Sequence, residues 1–450
     1  MGMGLAVIAL AGCATGVGTK AEADVGEFDA SADVSGSLRV LGMTLSDEVA
    51  TTRVDAAKQA LADVDISFTE GELDLQQFLS AVAAGDPPDV VYVNRDQVGS
   101  LAARGALRSL DDCISGEQID TAQYRESALQ QVTLDGTVYG IPEFNQVELT
   151  MANGDLLDDA GLTVDDVNGS DWDALSTAAS AMNASDNGSI SVIGYDSKLP
   201  DFFPLWAKAN GADLLTDDGK TAQLDDPKAI EALEFAASLY ANQGGFDDVK
   251  AFRDSADFFG AGNQYASGTL GAMPMEQWYI NVLNDVSPDA PVIFDTFRDR
   301  TGEPLAFAGG SAWAVPSGSD NPQAACRFAK QMTSVDSWLA AAEARKQVRD
   351  ADGKPFTGLL TGNAEADNQI KSMVTDDGSV WAEGTAAMYE ADARTFTLPA
   401  NPADNEFKQI YVDAANRVLN GQQSAADSLH DAQEDAQVAL DKAWAAMESK

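Results

Sequence analysis

The chain of 450 residues contains one histidine, His430, and three cysteines, Cys13, Cys113 and Cys326. One imidazole cannot build a multi-histidine metal centre. His430 also lies in a run that reads as a surface helix, so a histidine-based catalytic triad is excluded as well. No Cys-x-x-Cys pair occurs, which removes zinc-ribbon and thioredoxin-like readings. No metal and no cofactor is therefore expected. Basic residues are scarce, 28 Lys and Arg against 72 Asp and Glu, for a formal net charge of −44. Such a surface repels phosphate backbones, so nucleic acid is not expected as a partner. The acids are spread along the chain rather than gathered in one tail, and serve solubility. No run approaches the ~20 consecutive apolar residues of a membrane-spanning helix.

Hydrophobic residues make up 45% of the chain, enough for a substantial core, and the length suits two or three domains. Leu5 to Ala11 form a short apolar run that fits the end of a signal peptide. No Lys or Arg precedes it, so residues 1–12 read as a signal peptide remnant. Leu10-Ala11-Gly12-Cys13 resembles a bacterial lipobox, which makes Cys13 the expected lipid anchor. Residues 13–34 are small and acidic and read as a flexible tether. The expected location is the extracellular face of the bacterial membrane, held there by lipid.

Beyond the tether, strand and helix signals alternate. Leu38 to Leu41 and Ile66 to Phe68 read as strands, and Val90-Val-Tyr-Val93 as a buried parallel strand. Between them, Val54, Ala57, Leu61 and Val64 share one helical face, as do Leu75, Phe78, Leu79 and Val82. Asp135-Gly136 marks a hairpin turn. Asp226 and Pro227 open a helix as cap and first residue. From Leu339 onward the pattern is mostly helical, ending in a stripe from Leu429 to Met447. The implied class is α/β.

Five segments in order carry a more specific likeness. They are Asp86 to Val93; Leu134-Asp-Gly-Thr-Val-Tyr-Gly-Ile-Pro142; Asp155 to Leu162; Tyr265 to Met273 followed by Trp278; and Gly309-Gly-Ser-Ala-Trp-Ala-Val-Pro316 followed by Asn321-Pro322. Together they resemble the extracellular solute-binding proteins of ABC importers, in the maltose-binding-protein-like class of sugar receptors. The resemblance implies a two-lobed periplasmic-binding-protein-like fold of type II, each lobe a sheet flanked by helices, with crossing hinge strands near 142–147 and 306–312. Lobe 1 is expected over 35–143 and 308–345, and lobe 2 over 144–307 and 346–450. It further implies a monomer that hands its ligand to the transmembrane subunits of an ABC permease and does no chemistry. A secreted carbohydrate-active hydrolase is the alternative.

A neutral sugar offers apolar C–H faces for aromatic stacking and hydroxyls for polar side chains. Trp278 stands where the resemblance places a stacking aromatic, and Glu276 and Gln277 just before it replace the family's usual turn. Trp206 is a candidate for the cleft wall. Trp313 reads equally as core or as ligand contact, beside Gly310 and Ser311. Glu143 and Asn145 follow the first crossover. Asn94 and Asp96 follow a buried parallel strand, and Asp47 follows the first strand, the end where open α/β sheets gather ligand groups. Under the resemblance Cys113 and Cys326 both fall in lobe 1, where either a disulfide or two buried thiols is open.

Overall fold

A computed structural model describes residue 31 and residues 33–449. The signal remnant, Cys13 and most of the tether lie outside the described residues. The strands in chain order begin with β1 (Gly36–Leu41), β2 (Val64–Thr69) and β3 (Val90–Asn94). A short hairpin follows, β4 (Thr133–Leu134) and β5 (Thr137–Val138), turning at Asp135 and Gly136, both at positive φ as the Asp-Gly pair demands. Then come β6 (Ile141–Gln146), β7 (Glu148–Asn153), β8 (Ala184–Asp186), β9 (Ser189–Tyr195), β10 (Leu270–Glu276) and β11 (Val292–Thr296). The last three are β12 (Ala306–Phe307), β13 (Gly309–Ala314) and β14 (Thr395–Phe396).

Two five-stranded sheets result, ordered β2-β1-β3-β13-β6 and β11-β7-β10-β9-β8. In the first, β1 runs parallel to β2 and β3, while β13 is antiparallel to β3 and β6. The pleat of this sheet sorts its residues. Val90 of β3 and Trp313 of β13 face a core beneath the helices Glu48–Ala60 and Pro322–Thr333. Val91, Val93, Ala312 and Ala314 face the opposite core, which takes Phe78 and Leu101 from other helices. Both faces are covered, so β3 has no polar alternation, and its run of four apolar residues follows from that.

The second sheet has its own larger core, with Met151, Ile193, Tyr195, Ala272 and Met275 from the strands. The helices Trp172–Met182, Phe203–Ala209 and Pro227–Ala241 fill it with Trp172, Trp206 and Leu233. Helix Ala425–Glu448 packs on helix Asp404–Leu419 and closes one side, burying Leu429, Ala432, Ala436 and Leu440 along its stripe.

The chain passes between the two five-stranded sheets at Val147, where β6 gives way to β7, and returns to the first at Ala308, where β12 of the two-stranded β12–β14 ribbon gives way to β13. It passes again between helix Ala364–Lys371, which packs beside helix Val335–Ala351, and helix Val380–Asp392, which packs on β11. Helix Val335–Ala351 is continuous across residues 345 and 346, where the sequence reading divided the lobes. It lies along helix Glu48–Ala60 with Trp338, Ala341 and Ala342 against Val49. Cys113 and Cys326, both fully buried, are joined by a disulfide. Among the described residues no helix is long and apolar enough to cross a membrane.

Candidate ligand site between the lobes

The carboxyl ends of β1, β3 and β10 all run out where the two sheets meet, and two cavities open there. The first, of about 340 Å³, is lined from one sheet by Thr44 and Asp47 after β1, and by Arg53, Tyr92 and Glu143. The other sheet supplies Gln277, Trp278 and Asn281. The second, of about 290 Å³, takes Asn94, Asp96 and Gly310 from the first sheet and Glu148, Glu276, Phe202 and Tyr411 from the second half of the molecule. The predicted residues thus divide: Asp47, Glu143, Gln277 and Trp278 go to the first cavity, and Asn94, Asp96, Glu276 and Gly310 to the second.

In the first cavity the polar side chains hold one another in place. Asp47 caps helix Glu48–Ala60, accepting from the Ala50 amide at 2.8 Å, and its other oxygen accepts from Arg345 at 2.7 Å. Glu143 pairs with the Arg53 guanidinium and accepts from the Tyr92 hydroxyl at 2.7 Å. Burial and the Glu143 carboxylate push the Tyr92 phenol well above its usual range, so Tyr92 stays a neutral donor. Arg53 lies 3.7 Å from the centre of the Trp338 ring, which fixes the guanidinium from behind. The half-buried Trp278 and Tyr92 supply aromatic surface.

The second cavity is more acidic. Glu148 and Glu276 stand opposite each other in the β7–β10 ladder. Burial and the neighbouring Glu276 raise the Glu148 carboxyl well above the usual range, while Oε2 accepts from the Phe307 amide at 2.8 Å. Glu276 accepts from Gln146 at 3.1 Å. Asp96 pairs with Lys408 at 2.7 Å. Burial pushes the Asp404 carboxyl up to about 7.

Arg95, in the wall of the second cavity, is completely buried. It donates to Gln131 at 3.0 Å, to the Phe144 carbonyl at 2.8 Å and to the Asn145 side chain at 2.7 Å, and it also reaches the Gly309 carbonyl. One guanidinium therefore ties the end of β3 to both crossing strands. Burial lowers it to about 10, still charged at neutral pH. Asn145 passes the network on to Asp392 at 2.7 Å, and Asp392 pairs with Arg125. Gly310, at φ 142°, sits so close that a Cβ would meet the Phe144 carbonyl oxygen at 2.0 Å and Arg95 at 3.0 Å.

Four residues expected to contact ligand line neither cavity. Trp206 is fully buried among Trp172, Tyr195, Phe235 and Phe297, and its indole N–H donates to the Ser197 carbonyl at 2.8 Å. It is core because its helix turns that face onto the second sheet. Trp313 is also fully buried, on the pleat face beneath Phe328, 4.9 Å from the Tyr92 ring. It supports a wall residue and lines neither cavity. Asn145 is completely buried and serves the Arg95 network. Ser311 is buried and lines neither cavity. Gln277 lines the first cavity but is committed to the crossing, accepting from the Val147 amide at 2.9 Å.

Sequence reasoning missed Arg53, Trp338 and Arg345, which lie within helices rather than at strand ends. It also missed Phe202, Phe307, Lys408 and Tyr411. Tyr92 alone carried a signal, as the aromatic in the buried run of β3. Among the described residues no group of three or more His, Cys, Asp or Glu is placed to hold a metal ion.

A family model described as bacterial extracellular solute-binding protein matches residues 52–349. A maltooligosaccharide ABC transporter solute-binding lipoprotein of Streptococcus pneumoniae (strain ATCC BAA-255 / R6) is 26% identical over 299 residues, 63% of this chain and 62% of that protein. The match thus spans less than two thirds of that relative. The maltodextrin-binding protein MdxE of Bacillus subtilis (strain 168) is 24% identical over 366 residues, 78% of this chain and 76% of the relative. Among solved structures, CpMnBP1 with mannotriose bound superposes with a TM-score of 0.71 at 22% identity, covering 89% of this chain and all of that one. This last likeness establishes the shared two-lobed fold.

Proposed function

The chain belongs to the bacterial extracellular solute-binding proteins, and from that premise we propose that it captures a sugar or short oligosaccharide between its lobes and delivers it to an ABC permease. The observation that carries this reading is the make-up of the first cavity. Aromatic Trp278 from one lobe faces Tyr92, Thr44 and Asp47 from the other, with arginines behind the carboxylates. Flat rings suit the C–H faces of a pyranose, and a fixed set of donors and acceptors suits its hydroxyls. The named ligands of the relatives point the same way.

A ligand touching both lobes binds the closed arrangement better than the open one, so it shifts the population towards closure. The crossing segments near Val147 and Ala308 act as hinges, and Cys13 carries the lipid that keeps the protein, as a monomer, at the outer membrane face. No chemistry is done. The two carboxylates of the first cavity, Asp47 and Glu143, are each engaged by arginine, so neither stands free to protonate a glycosidic oxygen.

A thermal-shift screen over mono- and oligosaccharides, with amino acids and polyamines as controls, tests the reading, because a ligand of the folded state raises its melting temperature. At least one carbohydrate should give a shift, be recovered unhydrolysed, and lose affinity at least tenfold in Trp278→Ala while the ligand-free melting temperature holds. A screen in which only charged controls bind would overturn it.

A further inference from the structure

Asp392, where the buried network of the crossing strands ends, has a second carboxylate beside it. Asp367, on helix Ala364–Lys371, and Asp392, the last residue of helix Val380–Asp392, stand on either side of the third passage between the two halves of the molecule. Both are 1% exposed. One guanidinium serves both: Nη2 of Arg125 lies 2.9 Å from Oδ2 of Asp367 and also pairs with Oδ2 of Asp392. Two carboxylate oxygens that share one nitrogen stand close together, and like charges so placed favour taking up a proton.

Backbone and side chains fix the cluster. Asp367 accepts from the Thr361 amide at 2.8 Å, and Asp392 from the Asn145 side chain on β6 at 2.7 Å. Arg125 donates its backbone amide to the Gly362 carbonyl at 3.0 Å and Nη1 to the Asp392 carbonyl at 3.1 Å. Around the pair, Arg95 acts from beyond Asn145, and Glu143 on β6 turns away to Arg53. Tyr389 donates to the Leu359 carbonyl at 3.1 Å, and burial keeps its phenol neutral. Burial raises both carboxyls; the Asp392 charge adds to the rise at Asp367, and Arg125 opposes it at both. The pair therefore takes up a proton in the pH range from about 6 to about 7.

The three residues do not belong to one lobe. The helix of Asp367 packs beside helix Val335–Ala351, and Arg125 begins helix Glu126–Gln130, which packs on β6. The helix of Asp392 packs on β11 in the other sheet. Rotation of the lobes about the crossings therefore parts Asp392 from Arg125 and Asp367 and lets water in. Hydrated carboxyls return to ordinary aspartate values and release the proton. Acid thus favours the arrangement that buries the pair and forms the first cavity, and the preference is lost as pH rises through that range.

We propose that Asp367, Arg125 and Asp392 form a proton-operated latch, which holds the lobes together over the ligand site when a proton is bound and eases their parting when it leaves. The inference rests on the proposed hinge motion and not on the identity of the ligand.

Small-angle scattering of the ligand-free full chain at pH 6 and pH 8, at fixed ionic strength, reads the latch directly. The radius of gyration should be smaller at pH 6. In calorimetry with maltotriose and mannotriose, the one that binds should do so about tenfold more tightly at pH 6 than at pH 8, with protons taken up from the buffer. Asp367→Asn and Asp392→Asn each keep an acceptor and cannot carry the charge, so both should be compact at either pH and bind without proton uptake. His430 lies exposed beside Asp225, and a histidine also titrates near neutrality, so His430→Gln should keep the full response. A wild type of one size at both pH values overturns the proposal. So does a response that persists in both aspartate variants, which would assign it to Glu148 and Asp404 of the second cavity, or one that vanishes in His430→Gln. If neither trisaccharide binds, the sugar reading suffers and scattering still decides the latch.

Discussion

Gly310 shows how much one side chain decides at the crossing. The strand β13 approaches Phe144 and Arg95 so closely that only hydrogen fits, and the positive φ removes any easy way for alanine to adapt. Gly310→Ala should therefore lower the melting temperature by several degrees and abolish ligand binding. A variant that melts and binds like wild type would show the crossing to be looser than described. Asp404 makes a different prediction. Its folded value of about 7 lies above that of an exposed aspartate, so the native state keeps a proton that the unfolded chain has released. The stability from that proton is complete below about pH 4 and is lost as pH rises towards 7. Asp404→Asn keeps an acceptor for the Ser100 amide but has no charge to bury. It should match wild type in melting near pH 4 and exceed it at pH 8. An equal gain at both values would rule out the titration. Neither residue carried a readable signal, because a glycine in a strand pattern and an aspartate in the first turn of a helix are common in any sequence.

At the scale of elements, the disulfide joins helices Asp111–Gly116 and Pro322–Thr333 across 213 residues of sequence. Closing so long a loop restricts the unfolded chain, and the loop-entropy account puts the effect on the order of 5 kcal/mol. Replacing both cysteines by alanine should lower the denaturation midpoint substantially and leave ligand affinity within a fewfold, because the bond lies in the core of the first lobe, away from both cavities. Mass measurement with and without reductant checks that the bond forms. Strands were the more legible elements. β3 announces itself as four apolar residues between Pro88 and Asn94, and the Asp-Gly turn marks the β4–β5 hairpin. Helix Val335–Ala351 was legible as a helix but not as a wall of the first cavity. Trp338 and Arg345 come to the site only because the helix lies along helix Glu48–Ala60.

The whole molecule carries a net charge of −44, and like charges on one compact body repel. Added sodium chloride should raise the melting temperature as screening grows; a fall across the same range would mean that the ion pairs outweigh the repulsion. The proposed closure on ligand is also tested at this scale. Scattering should show a smaller radius of gyration with saturating ligand than without, and the difference should vanish in Trp278→Ala. Composition and apolar periodicity were enough to determine an α/β chain, because that follows from local patterning, while the two lobes and their cleft were legible only as what the resemblance carried by five short motifs implies. Whether a tryptophan stands in the core or at a cavity wall was settled by tertiary structure alone. Trp206 and Trp278 look alike in the sequence. The turn of one helix onto a sheet buries the first, and the end of β10 leaves the second at the cavity wall.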